Sequence, residues 1–367
     1  MASALAPFVP PHCPRTGCRF HRSHDGWRWK RHGSFTRASS PHRIQRFRCG
    51  HCGRTFSTQS FSNTYWLRRP DVLEATAHRQ LACSGYRQIA REARCHHTTV
   101  MRHSERLRRL ALLYLWLNRP PGVISEPLVG DGFESFAFSQ YHPHYLNLIV
   151  GAHSHYCYAF TFTELRRKGR MTAAQKRRRA ALERTFGRPD PRGIETGTAL
   201  ALKLAAPEPQ RLVFRSDEHT DYPRALARLR REGYTIRHEM TPSVQARTAN
   251  NPLFAANRLD LLLRHNSANH KRETIAFSKL NLGAIGRAAW LIVWQNFTKP
   301  FSERHGGGTP AMRLKLKERP IPIRELLRDR LFPTRVELPE EWARYYWGEV
   351  LTRRIPNARR HRLKLAA

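Results

Sequence analysis

RLVFRSDEHTDYPRAL, Arg211 to Leu226, is the stretch whose reading decides the fold. The apolar run Leu212 to Phe214 predicts a short buried strand. It ends in Asp217 just before Thr220, an N-cap type of residue for a helix that carries Leu226 and Leu229 inward. Strand then helix delivers the Asp217 carboxylate to the C-terminal edge of a sheet, where loops and helix N-termini converge and ligands collect. Asp217, Glu218 and Asp221 would also favour a helix start through its dipole. The stretch alone leaves both roles open.

On its N-terminal side, Pro127 is out of place inside a central strand, so a strand is expected to begin after it with Leu128, Val129 and Asp131. Tyr145 to Val150 and Tyr156 to Phe162 predict two more strands, completing a meander. Pro191 to Ala205 predicts a helix, Tyr234 to Arg237 a fifth short strand, and Leu253 to Gln295 a long helical region. The order βββαβαβα is that of a ribonuclease-H-like α/β fold with a mixed five-stranded sheet. Gly283 and Gly286 weaken the helix by roughly 1 kcal/mol each.

That helix assigns faces to its carboxylates. At 100° per residue, Leu259, Leu262, Asn266, Ala276, Phe277, Leu280, Ala284 and Leu291 lie within about 60° of Glu273. Glu273 is then on the stripe that faces the sheet, where an isolated carboxylate is costly unless it is paired or binds a metal. Asp260 falls about 220° away and is expected on the outer, solvated face.

The charge balance points to the partner. With 65 Lys+Arg against 28 Asp+Glu, the 367-residue chain carries a formal charge of +37, beyond what solubility asks. A nucleic acid is the leading polyanion. The length suggests two or three domains. The longest apolar runs, Leu110 to Leu117 and Ala288 to Trp294, are too short to span a bilayer. The opening MASALAPFVPPHC lacks the pattern of a signal peptide, so no membrane association and a cytoplasmic, reducing setting are expected, with cysteines as thiols or metal ligands.

Residues 1–62 contain Cys13, Cys18, Cys49 and Cys52 as two pairs, C-x(4)-C and C-x(2)-C. Four thiolates close a tetrahedral site, and this spacing predicts a zinc ribbon with an extended loop and one structural Zn²⁺. His21 or His24 could replace one thiolate. The loop holds Trp27, Trp29, Lys30, Arg31 and His32, a basic run with interleaved aromatics. Cys83, Cys95 and Cys157 are most simply small buried residues.

Residues 68–118 predict three helices. The first carries Val72, Leu73, Ala77 and Leu81, the second Ile89, Ala90 and Ala93, and the third starts near Thr98 with Val100 and Leu107 inward. This is helix-turn-helix spacing, and His97, Thr98, Thr99, Arg102 and His103 are the side chains expected to face a major groove. Leu110, Leu113 and Leu117 extend an apolar stripe beyond it. Within residues 123–300, a basic insertion spans 165–192. Its segment from Leu165 to Arg188 has ten Lys or Arg and the single acid Glu183, and Arg177, Arg178 and Arg179 are expected to contact phosphates. Residues 301–367 form a basic C-terminal tail with 16 Lys or Arg and eight acids after Pro300. Its Trp342, Tyr345, Tyr346 and Trp347 suit core packing or a dimer surface.

Asp131 in LVGDGFESF, Asp217 in RSDEHTDYPRAL and Glu273 in HKRETIAFSK, following a zinc ribbon and a helix-turn-helix, resemble the DDE transposases of bacterial insertion sequences. RRKGRMT from Arg166, FGRPDP from Phe186 and GGGTPAMRL from Gly306 extend the likeness over most of the chain. The resemblance implies a bacterial, nucleoid-associated enzyme that binds transposon ends and target DNA, at least as a dimer when assembled on DNA. It further implies nicking by water, strand transfer by the freed 3′-hydroxyl, and two Mg²⁺ ions, which Mn²⁺ can replace, on Asp131, Asp217 and Glu273. Many such enzymes place a cation seven residues after the glutamate, where this chain has Leu280. Lys271, Arg272 and Lys279 flank Glu273 as cations that could hold phosphates or simply pair with it. Hard carboxylate oxygens suit Mg²⁺ without the family name. A DNA-binding regulator with an inert catalytic domain, or a basic protein binding by charge alone, are the other classes the sequence leaves open.

Overall fold

In a computed structural model, residues 8–353 are described; the outermost residues of the ribbon and tail segments, 1–7 and 354–367, lie outside them. The N-terminal part is a three-stranded antiparallel sheet of β1 (Trp29–Thr36), β2 (Arg43–Cys49) and β3 (Thr55–Ser57). Helices α1 (Asp71–Leu81), α2 (Tyr86–Glu92) and α3 (His97–Leu117) follow. Val72, Ile89, Ala90 and Val100 form their small common core. Each of these residues is apolar at the spacing that turns it toward its neighbours.

The main body is a five-stranded mixed sheet in the order β6-β5-β4-β7-β8. Strands β4 (Leu128–Phe136), β5 (Pro143–Gly151) and β6 (Cys157–Glu164) form an antiparallel meander, and β7 (Arg211–Ser216) and β8 (Thr235–Met240) add on parallel to β4. Parallel strands need crossovers. Here α5 (Gly193–Ala205), preceded by the basic helix α4 (Ala173–Phe186), and α6 (Asp221–Arg231) supply them. Every strand and short helix of the expected order is present. Thr220 does sit at the N-cap of α6, though its hydroxyl makes no capping bond.

The long helix is not one helix. It divides into α7 (Phe254–Asn266) and α8 (Asn281–Phe297), separated by an irregular segment. Side-chain and backbone groups of that segment bond to other elements instead of to a helix. Asn266 donates to the Leu81 carbonyl, its own carbonyl accepts from Cys83, Ser278 accepts from the Phe138 amide, and Asn269 donates to the Ser278 hydroxyl. The glycine expected to weaken α8 has a packing reason: a Cβ on Gly286 would stand 3.0 Å from the Cβ of Arg108, so its absence lets α3 and α8 approach closely.

One continuous core joins α1, the distal half of α3, the sheet, α7, α8 and the C-terminal part. Leu110 and Leu113 are inside it, while Leu117 is exposed. Within the tail, the described residues 301–353 pack on the rest of the chain. Short helices α9 (Pro310–Arg313) and α10 (Ile323–Leu326) precede α11 (Glu340–Trp347), whose Trp342 and Tyr345 stack against Phe160. Among the described residues no helix is long and apolar enough to cross a membrane.

Candidate functional site

Strands β4 and β7 run parallel and pair at Leu128 with Phe214 and Val129 with Arg215. Two residues further along come Asp131, within β4, and Asp217, just past the end of β7. Strand alternation puts the Asp131 side chain on the sheet face that carries Val129, and the Asp217 charge acts on it from the point where the two strands diverge. Helix α7 packs on β4 and β5 and brings a third carboxylate, Asp260. The Asp131 charge acts on Asp260.

The electrostatics mark these groups as one cluster. Burial, with the Asp217 charge beside it, pushes the Asp131 carboxyl up to about 6, although its Oδ1 accepts a 2.7 Å bond from the Gly132 amide. Burial and the charge of Asp131 raise Asp260 well above the carboxylate range, against the opposing pull of Arg264 and Arg247. Asp260 Oδ1 is buried with no hydrogen-bond partner. Asp217 Oδ1 accepts from the His219 amide at 3.0 Å. Arg264, one helical turn after Asp260, is held by the carbonyls of His270 and Glu134 with its guanidinium 4.5 Å over the Phe133 ring.

A pair of tyrosines reaches the same place from the opposite face. The Tyr145 ring fills the space a side chain on Gly132 would need, since a Cβ there would stand 1.4 Å from the ring. Its hydroxyl is 3.2 Å from that of Tyr222. Burial, then the charges of Asp131, Asp217 and Asp260, raises the Tyr145 phenol, which keeps its proton and is a hydrogen-bond donor next to the carboxylates.

Two expectations are corrected here. Asp260, expected on a solvated outer face, is half-buried at the carboxylate cluster with its Oδ1 enclosed, and Glu273, expected on an inward helical stripe, is exposed on a bend outside any helix. The cause is the break after Asn266, which voids a phase carried over from Glu273. Within α7 alone Asp260 lies about 40° from Ala256 and about 60° from Leu263, both buried, so a helical wheel centred on this helix carried the signal.

The cysteines meet as expected. Cys13, Cys18, Cys49 and Cys52 place their sulfurs within 4.8 Å of one another, with Cys13 and Cys52 3.6 Å apart. A tetrahedral Zn²⁺ with bonds near 2.3 Å separates its sulfurs by about 3.8 Å, so the set fits a structural zinc. Burial works to raise the Cys49 thiol, but donors from Cys52, Trp27 and His51 bring it down to about 7. Neither alternative histidine is a member of the cluster. His21 instead bonds the Cys13 carbonyl at 2.8 Å and the Thr334 hydroxyl at 2.7 Å, and Phe332 packs into the same aromatic cluster. Among the described residues this is the one group of three or more ligand side chains with donor atoms so close, so the three carboxylates are spread more widely.

The residues expected to meet DNA divide. Thr98 and Arg102 are exposed at the start of α3, and His97 and Thr99 are half-buried. His103 is a correction: it is 2% exposed, burial lowers it to about 4, and it packs inside the helical unit. On α4, Arg177 and Arg178 are exposed, whereas Arg179 donates to the Arg167 carbonyl and pairs with Glu183 at 3.6 Å. Lys271 is exposed, and Lys279, also exposed, stands 3.1 Å over the Phe277 ring.

No family model and no curated protein matches the chain. Among solved structures, it is similar to a chain of the CryoEM structure of simian T-cell lymphotropic virus intasome in complex with PP2A regulatory subunit B56 gamma. The two are 16% identical over 68% of this chain and 75% of that chain, at a TM-score of 0.25. A likeness at that level carries no argument about this protein.

Proposed function

We propose that the protein is a metal-dependent DNA strand-transfer enzyme of the transposase type, on a ribonuclease-H-like fold, with Asp131, Asp217 and Asp260 as its carboxylates. The observation that carries this reading is Asp260: a buried, unpartnered carboxylate oxygen beside Asp131, next to the parallel β4–β7 pair inside the sheet. A carboxylate kept there without a partner is costly unless it serves a cation. Asp131, Asp217 and Asp260 offer the hard oxygen donors that suit Mg²⁺. Bound there, the metal would supply activation of an attacking oxygen and stabilisation of the leaving oxygen of a phosphodiester. Asp260 takes the part that sequence alone assigned to Glu273.

Around the carboxylates, Tyr145 offers a proton-bearing hydroxyl and Arg264 a fixed cation, which orient a phosphate and balance its charge. The helical unit α1–α3 reads as a helix-turn-helix presenting Thr98 and Arg102 to base edges, and Arg177 and Arg178 as phosphate contacts. Assembly on two DNA ends calls for at least a dimer. The test is nicking and strand transfer on DNA flanking the reading frame, with and without Mg²⁺. Metal-dependent product from the wild type and none from Asp260→Asn, with DNA binding retained, supports the reading. DNA binding without nicking by the wild type makes the protein a regulator instead.

A further inference from the structure

Between Asp25 and Asp71 the chain contains no Asp or Glu, while Arg28, Lys30, Arg31, Arg43, Arg46 and Arg48 all lie on or beside the ribbon sheet. β1 is an edge strand, and every residue from Lys30 to Thr36 is exposed. Beyond Trp29, which packs on Phe47, the strand has no core contact to justify its length. Its register sets Lys30 directly opposite Arg48. Like charges facing each other across a pair are destabilising, and none of Lys30, Arg31 and Arg48 has an ion-pair partner among the described residues. The pairing shifts between Arg31 and Ser34, where Gly33 adopts φ +69°. Beyond this bulge Phe35, opposite the buried Ile44, is 44% exposed.

We propose that the β1–β2 hairpin is a duplex-DNA-binding element that lies in the major groove, with Lys30, Arg31 and Arg48 toward the phosphates and Phe35 toward the bases. Two strands about 4.8 Å apart form a ribbon that the major groove of B-DNA, about 12 Å wide, admits. The deep, narrow major groove of A-form RNA does not. Phosphates on both sides would remove the repulsion between Lys30 and Arg48. The inference rests on the nucleic-acid reading above and is independent of the carboxylate chemistry.

The experiment uses the zinc-loaded full chain, a mixed-sequence DNA duplex of about 30 base pairs, and fluorescence anisotropy from about 50 to 300 mM NaCl. Replacing Lys30, Arg31 and Arg48 together by Gln should make the slope of log affinity against log salt shallower by about two to three units, since each lost phosphate contact removes roughly 0.9. The same change at Arg224, Arg228 and Arg231 on α6 should alter it by less than about one unit. Phe35→Ala should weaken DNA binding several-fold with the slope unchanged, and an RNA duplex of the same sequence should bind less tightly than DNA. Retained zinc reports a folded ribbon; should the triple variant lose it, Lys30→Gln alone should still lower the slope by about one unit. An unchanged slope in the hairpin variants, an equal fall in the α6 variant, or equal binding of the RNA duplex would overturn the proposal. Wild-type protein that binds no duplex DNA would overturn the nucleic-acid reading itself, whereas absence of nicking would leave the hairpin proposal standing.

Discussion

Asp260 on α7 and Asp131 on β4 are half-buried in one electrostatic cluster, where burial and then the charge of Asp131 raise the carboxyl of Asp260 above its ordinary range. Helix and strand are joined here by repulsion, which only a cation or a proton relieves.

Asp131→Asn, Asp217→Asn and Asp260→Asn should therefore each nearly abolish metal-dependent nicking while leaving duplex binding intact. Double variants should lose little more, because groups that act as a unit are not additive. Glu273→Gln, on an exposed bend, should stay within a few-fold of the wild type. Loss of nicking in Glu273→Gln with normal activity in Asp260→Asn would reverse the assignment.

Without metal, the cluster should cost stability in a pH-dependent way. The Asp131 carboxyl is raised from 3.8 to about 6 in the folded chain, so the native state holds this proton more tightly than the unfolded one. Stability falls as pH rises from the lower value through the higher one, and the full penalty, at most roughly 3 kcal/mol, is present above about pH 6. Metal-free Asp131→Asn should accordingly melt higher than the wild type at neutral pH, and Mg²⁺ should raise the melting temperature of the wild type alone. Equal melting curves at neutral pH would contradict this.

Zinc removal should loosen both ends of the chain together. His21 ties Cys13 to Thr334, the guanidinium of Arg335 donates to the His21 carbonyl, and the amide of Arg330 to the Phe61 carbonyl. Metal binding supplies folding free energy to so small a unit. Chelation, or Cys49→Ser, should expose both residues 29–57 and residues 328–336 to limited proteolysis, read by mass spectrometry. Protection of the second segment in chelator would disprove the coupling.

DNA recognition should separate by element. Arg102→Ala should cost about 1 to 3 kcal/mol on the element's own ends and relax sequence preference, if it reads a guanine. Neutralising Arg177 and Arg178 should weaken end and random duplexes alike and flatten the salt slope by roughly one unit per lost contact. Arg179→Gln, already engaged by Glu183 and Arg167, should change the slope least. Competition binding with the two duplexes at several salt concentrations checks all three.

The sequence by itself determined the order of elements, because strands and helices are written in local periodicity and turn residues. Leu212 to Phe214 followed by Asp217, and Leu128 after Pro127, were sufficient to put Asp217 just past one strand and Asp131 on another, though Asp131 lies inside β4 and not at its end, and cysteine spacing was sufficient for the metal cluster. Tertiary structure decided what depends on distant partners. Asn266 bonds to α1 and Ser278 to the loop after β4 while Asn269 ties to Ser278, instead of continuing a helix, and that break exchanges the environments of Asp260 and Glu273. His103 is inside the helical unit, and Arg179 is engaged by Glu183 one turn on and by the Arg167 carbonyl. A helical wheel knows which residues share a face only while the helix lasts, and where this one ends is settled by hydrogen bonds to residues almost two hundred positions away.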